Sequence, residues 1–293
     1  MSLHVFANFV TPFGTAANNR AETEGNITTL QKLVWMGETH STVSAEAIRF
    51  ALRRRLAAAD KRGTNRKWDE DDRNNIWEDW AFKGWESENG ETFIDDDLLG
   101  FMTAEAAKEE GEAGSANVRR AVLEVSRAVS LTPWMGDVTF NAASPGATPS
   151  AQKKGSNPVP YGTEVHATRY QYGIALTPER LRDKSRAAKA VEALCNLGTV
   201  AGNHGRFLFD FSPDAVIIRI TDDPAPRLLY CFDTPDAGKT IAATRLAKRV
   251  ADDDIDPKEL IIAGVEVAGV DGKKGVKAAC AEAVDRITKR LKG

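Results

Sequence analysis

Apolar and polar positions alternate over residues 3–10 (LHVFANFV), with Leu3, Val5, Ala7 and Phe9 on one side and His4, Phe6, Asn8 and Val10 on the other. A period of two predicts a strand. A polar loop follows, TPFGTAANNRAETEGN, and then a short segment, ITTLQKLVWMGE, that reaches Gly37. In HSTVSAEAIRFALRRRL the period changes. Ile48, Leu52 and Leu56 recur every four residues and predict the buried stripe of a helix, with Ser44 as N-cap and Glu46 at the positive end of the dipole. Arg49 and Arg53 share a different face of that helix. Val118, Ala121, Val122, Val125 and Val129 repeat at helical spacing and predict a helix over 118–131.

Residues 136–167 are punctuated by Gly, Pro, Ser and Asn between β-prone flanks and predict a long hairpin with a mobile tip. TRYQYGIAL (168–176) predicts a strand, and 179–197 a helix stopped at Gly198. RFLFDF, DAVIIRI and RLLYCFD read as strands. Helices at about 239–252 and 274–291 close the chain. This order predicts an α+β fold, a ferredoxin-like sheet with large insertions.

Composition narrows the class. The 293 residues are 42% apolar and 28% charged, which excludes a wholly disordered chain and suffices for a core without staples. No apolar run approaches the ~20 residues that span a bilayer. The N-terminus lacks the pattern of a signal peptide, and Cys195, Cys231 and Cys280 are too scattered for a disulfide framework, so a cytoplasmic protein is expected.

Charge changes the picture further. The net value is −3, yet residues 68–117 hold 3 basic against 16 acidic residues, and both flanks are net positive. Four of the six tryptophans, Trp68, Trp77, Trp80 and Trp85, fall in the same region. Residues 60–117 therefore read as an inserted acidic helical lobe with its own small core, and DEDD (69–72) and DDD (95–97) as solvated faces. An acidic lobe repels other polyanions, so it is expected to face outward or meet a basic neighbour.

Candidate chemistry is sparse. The four histidines and three cysteines have no metal-ligand spacing, and no cofactor is expected. His40 beside Ser41 is no dyad, because residues adjacent on one element do not converge; His40 reads as a loop residue near a phosphate or simply exposed. DTPDAGKT (233–240) resembles a phosphate loop, but Asp233 stands where the first glycine belongs and Pro235 removes a backbone donor, so a surface turn is expected. The strongest constellation is the start of the first helix. Free N–H groups, hydroxyls at Ser41, Thr42 and Ser44, and guanidinium groups at Arg49 and Arg53 make a phosphate-binding surface. A capped amphipathic helix with a solvated basic face accounts for the same residues.

The segments NNRAETEGNITTLQKL and GETHSTVSAEAIRFALRRRL resemble the backbone subunit of Cascade, the type I CRISPR surveillance complex, in the DevR-type branch of the repeat-associated mysterious protein superfamily. The likeness extends more loosely over 136–220. It implies a single RNA-binding domain over 1–293, with a modified ferredoxin-like (RNA-recognition-motif-type) palm, the 60–117 insertion and a thumb hairpin at 136–167. It implies a non-catalytic antiviral-defence subunit whose copies stack head to tail along guide RNA (crRNA) and present it to target DNA beside the other Cascade subunits, away from any membrane. Asn19, Arg20, Ser44, Arg49, Arg53, Lys153, Lys154, Arg169, Asn203, His204 and Arg206 would contact the RNA. Relatives that carry a catalytic Asp in the first loop cleave RNA; this chain has only Glu22 and Glu24 there. Alternatives are a guide-processing ribonuclease with His40 or His166 as base, and a nucleotide-binding protein using 233–240.

Overall fold

The computed structural model describes residues 2–17, 22–105, 115–146, 158–201 and 207–292. Its frame is a nine-stranded sheet. In chain order the strands are β1 (His4–Val10), β2 (Lys32–Trp35), β3 (Glu38–Val43), β4 (Leu123–Val125), β5 (Ala128–Ser130), β6 (Tyr170–Leu176), β7 (Ala215–Thr221), β8 (Leu260–Ala263) and β9 (Gly272–Lys273). Five helices are described: α1 (Ala45–Ala59), α2 (Ile94–Leu99), α3 (Arg186–Cys195), α4 (Thr244–Ala251) and α5 (Val276–Lys292).

The spatial order is β9-β8-β7-β1-β6-β5-β3-β2, with β4 also paired to β6. Its centre, β7-β1-β6-β5, is antiparallel throughout. Along the chain that centre runs β1–α1–β4/β5–β6–α3–β7, so each helix carries the chain over one intervening strand. β1 is central and buried on both faces. Val5, Ala7 and Phe9 enter the larger core beneath α1 and α3, whereas Phe6 and Val10 enter a second core with α4. The two-faced burial explains why the polar side of its alternation holds only His4 and Asn8.

α1 forms as its spacing predicts. Ile48, Leu52 and Leu56 are each 0% exposed, and Ser44 Oγ accepts the Ala47 N–H at 3.2 Å. The residues just before it do not join the helix. Ser41 and Thr42 lie on β3 and are buried.

Two helical expectations fail. Residues 118–131 are the end of a strand (Ser115–Arg119) followed by β4 and β5. Their valines fit a helical period equally well, but Leu123 pairs with Leu176 and Val129 with Gln171 on the pleated surface of β6, where β-branched residues pack well. The insertion likewise carries more strand than helix among its described residues. Arg66–Asp69 pairs with Asn74–Trp77, and Phe101–Glu105 with Ser115–Arg119; the six-residue α2 is its one described α-helix. The small core is present. Phe82 stacks on Phe101 and meets Trp77 edge-on at 5.4 Å.

Neither RFLFDF nor RLLYCFD forms a strand among the described residues. Phe209 and Phe211 are core anchors packed on Tyr170. Gln171 binds the Phe232 backbone through both ends of its amide, at 3.0 and 3.2 Å, in place of a strand partner. The long hairpin exists as Val138–Ala143 paired with Val159–Glu164, joined by a parallel contact to Ile27–Thr28. The tip at 147–157 lies outside the described residues.

Candidate nucleic-acid interface

The first turns of α1 form one wall of a groove of about 730 Å³. The opposite wall comes from the insertion: Arg66 and Trp77 from its first hairpin, Arg119 from its second. Four guanidinium groups, Arg49, Arg53, Arg66 and Arg119, thus line one cavity, and among the described residues Glu46 is the one acid that lines it. Arg49 donates through Nη2 to the Leu99 carbonyl. Arg53 Nε lies 3.4 Å from Asp95 Oδ2, an ion pair. Arg119 donates to Asp97 Oδ1 at 2.7 Å.

Burial lowers the pKa of Arg49, opposed by Glu46. Burial also lowers that of Arg53; Asp95 opposes the shift, and Arg66 and Arg49 add to it. Guanidinium groups start so high that both stay cationic at neutral pH. The arrangement is a cluster of positive charge with partial anionic backing.

That backing is a correction. Asp95, Asp96 and Asp97 are at most 2% exposed, not a solvated face. They sit in the first turn of α2, where the helix dipole favours anions. Asp97 accepts from Arg119, from Arg186 Nη1 at 2.9 Å and from the backbone of Arg182 and Asp183. Asp95 accepts the Asn65 and Arg66 N–H groups. The triplet rivets the insertion to α1 and α3. Burial, helped by the charge of Asp95, pushes the Asp96 carboxyl up to about 7.

The other expected donors divide. Ser44 is occupied as the cap of α1. Ser41 Oγ lies 2.7 Å from both His166 Nδ1 and Tyr170 Oη, inside the protein. His40, expected in a loop, is buried on β3, where its Nδ1–H donates to the Ser130 carbonyl at 2.7 Å. Burial pushes His166 down to about 4, so it is neutral at pH 7. Arg169 spends its donors on the protein itself: Nε on Gly238 O, and Nη1 on Thr11 O and Asp214 Oδ2. It latches a turn rather than opening to a ligand. Asn19, Arg20, Lys153, Lys154, Asn203, His204 and Arg206 lie outside the described residues.

The 233–240 segment is the expected surface turn. The Gly238 N–H donates to Thr234 Oγ1 and the Thr240 N–H to Asp236 Oδ1, so the donors of a phosphate cradle are already used. α4 begins only at Thr244. Among the described residues no group of three His, Cys, Asp or Glu could hold a metal ion, and no helix is long and apolar enough to cross a membrane.

The family model described as CRISPR-associated negative auto-regulator DevR/Csa2 matches residues 12–196. A protein of Myxococcus xanthus (strain DK1622), "CRISPR-associated protein Cas7/Cst2/DevR", is 60% identical over the full length of both chains. The chain belongs to the Cas7/Cst2/DevR family. Two solved structures share the fold of this Cas7-type chain. A chain of a "CRISPR RNA-guided surveillance complex" matches with TM-score 0.58 at 15% identity, covering 98% of this chain and 99% of that one. A chain of a "CRISPR RNA-guided surveillance complex, pre-nicking" matches with TM-score 0.55 at 14% identity, covering 97% and 100%.

Sequence reasoning missed Arg66, Trp77 and Arg119. They are scattered through a segment whose net charge is strongly negative, and no spacing links them to α1. The one usable signal was DDD at the start of a short helix, since buried acids require cationic partners.

Proposed function

We propose that this Cas7/Cst2/DevR chain is the non-catalytic, guide-RNA-binding backbone subunit of a type I CRISPR surveillance complex. The observation that carries the reading is the groove at the start of α1, where four arginines converge with a single acid among the lining residues. Such a surface grips phosphates, and phosphate contacts position a strand without reading its sequence. A subunit that must accept any guide requires that indifference, because base pairing to the target then carries the specificity.

The fold supports the same reading. The strand–helix–strand–strand–helix–strand path, with spatial order β7-β1-β6-β5, is the ferredoxin-like arrangement of a palm. The hairpin at 138–164 takes the part of a thumb, with Lys153 and Lys154 as contacts to the RNA of a neighbouring copy. Asn19, Arg20, Asn203, His204 and Arg206 are further guide contacts in this reading, and Ser44 orients the first turn of α1. Arg169 acts at one remove, by holding the Gly238 turn against Thr11. Copies joined head to tail make a heterologous contact, which builds an open helical filament along the guide. The filament works in the cytoplasm with other complex subunits and meets target DNA through the guide. The two histidines a ribonuclease would use are buried in hydrogen-bonded networks, which supports a subunit without cleavage.

Fluorescence anisotropy with two guides of unrelated sequence tests this. Arg49→Ala and Arg53→Ala are expected to weaken both complexes by the same factor and to reduce the salt dependence by about 0.7 in log–log slope per lost phosphate contact. Strong dependence of the effect on guide sequence, or unaltered binding, refutes the reading.

A further inference from the structure

From the groove geometry we infer that the acidic insertion is itself a wall of the RNA path, with Arg66 taking a phosphate and Trp77 stacking a base; this rests on the guide-binding reading above. The insertion is two-sided. Its acids Glu70, Asp71 and Asp72 lie exposed at the outer turn of the first hairpin, while Arg66, four to six residues earlier, faces the cavity. Net charge over the segment therefore hides a basic inner face.

Three observations point to an anionic, aromatic-tolerant occupant. First, the Nε atoms of Arg66 and Arg119 have no hydrogen-bond partner among the described residues, and both residues line the groove. An unsatisfied guanidinium donor costs free energy that an acceptor bound nearby recovers. Second, Arg66 forms no ion pair among the described residues. Its guanidinium lies 5.4 Å over the Trp77 ring and repels that of Arg53 electrostatically. A bound phosphate relieves that repulsion. Third, the rim is apolar where the floor is cationic. Trp77 lines the groove half-buried, and the cross-strand pair Met102 and Val118, 68% and 56% exposed, lines it from the second hairpin. A cationic track beside an aromatic face is how single-stranded nucleic acid is held without sequence preference. The volume of about 730 Å³ falls within the range of pockets that enclose nucleotide-sized ligands. The occupant is one or two nucleotides of the guide, continuous with the strand on α1.

The test uses the full chain and a mixed-sequence RNA carrying 5-iodouridine. Irradiation followed by peptide mapping is expected to cross-link Trp77 in the wild-type protein. Arg66→Gln is expected to weaken RNA binding and lower the salt slope by about 0.7. Trp77→Ala is expected to weaken binding about 5- to 100-fold, with Trp77→Phe retaining most of it. An oligonucleotide with abasic sites should show the same loss on the wild type and no further loss on Trp77→Ala. If Trp77→Ala fails to fold by circular dichroism, the cross-link, Arg66→Gln and Trp77→Phe decide. When Arg49→Ala weakens binding but Arg66→Gln does not and Trp77 stays uncross-linked, the insertion is no wall of the path and the inference falls while the guide reading stands. When Arg49→Ala has no effect either, the guide reading falls first. Preferential cross-linking of Trp77 to single-stranded DNA of the same sequence assigns the groove to another strand and also overturns the inference.

Discussion

Asp96→Asn should stabilise the folded chain, and only above mildly acidic pH. Asp96 is 2% exposed, accepts the Asn65 side-chain amide at 2.9 Å and sits beside the charge of Asp95. Its carboxyl titrates near 7 in the fold and near 3.8 in a free chain. The folded protein therefore binds this proton more tightly than the unfolded one. Ionisation costs stability: the penalty is absent below about pH 4, grows as pH rises through the window, and is complete above about pH 7. The gap between the two values corresponds to about 4 kcal/mol at most. Relaxation of the lobe around the charge reduces that to roughly 2 kcal/mol. Asparagine keeps the acceptor for Asn65 and removes the like charge beside Asp95. In a chain of this size the gain raises Tm by about 3 °C. Thermal unfolding of wild type and Asp96→Asn at pH 4 and pH 8 measures it. The melting points should nearly coincide at pH 4 and separate at pH 8. A difference independent of pH, or a variant less stable at pH 8, refutes the reasoning.

Asp97→Asn should act in the opposite sense, because it leaves Arg119 and Arg186 facing a neutral group; urea unfolding should show a loss of about 3–5 kcal/mol. Ser44→Ala removes the cap of α1 and should cost about 1 kcal/mol in the same assay. His166 is held neutral by burial, so the stability it contributes is full above pH 6.5 and lost as pH falls towards 4; His166→Gln should flatten that acid limb of the stability profile. Gly100→Ala should destabilise the insertion, since φ is +68° and the new Cβ would lie 2.3 Å from the Arg119 carbonyl oxygen; limited proteolysis should cut 60–119 faster.

How much was legible varies by element. β1, α1, β6, β7 and the hairpin at 138–164 were readable because each combines a clear period with its own stop signals, and Ser44 announced the start of α1. The segment 118–131 misled because Val118, Val122, Val125 and Val129 satisfy a helical period, whereas Val125 and Val129 pair with β6 and Val118 pairs with Met102 of the insertion. The insertion misled in a second way. Trp77, Phe82 and Phe101 form the small core its aromatics promised, but hairpins rather than helices assemble it. At the candidate site the halves differ in kind. Arg49 and Arg53 lie four apart on one helix, so their common face follows from periodicity. Arg66 and Arg119 are separated by most of the insertion.

The amino-acid order by itself determined β1, β6, β7, the capped first helix and the pairing of two arginines on one of its faces, because those depend on interactions within a few residues. Tertiary structure alone decided that Asp95, Asp96 and Asp97 turn inward as counter-ions, that His40 and Ser41 are interior, and that Arg66 and Arg119 complete a cationic groove. A carboxylate or a guanidinium has no fixed address along a chain. Its position is set by which opposite charge is within reach once the insertion folds back on α1.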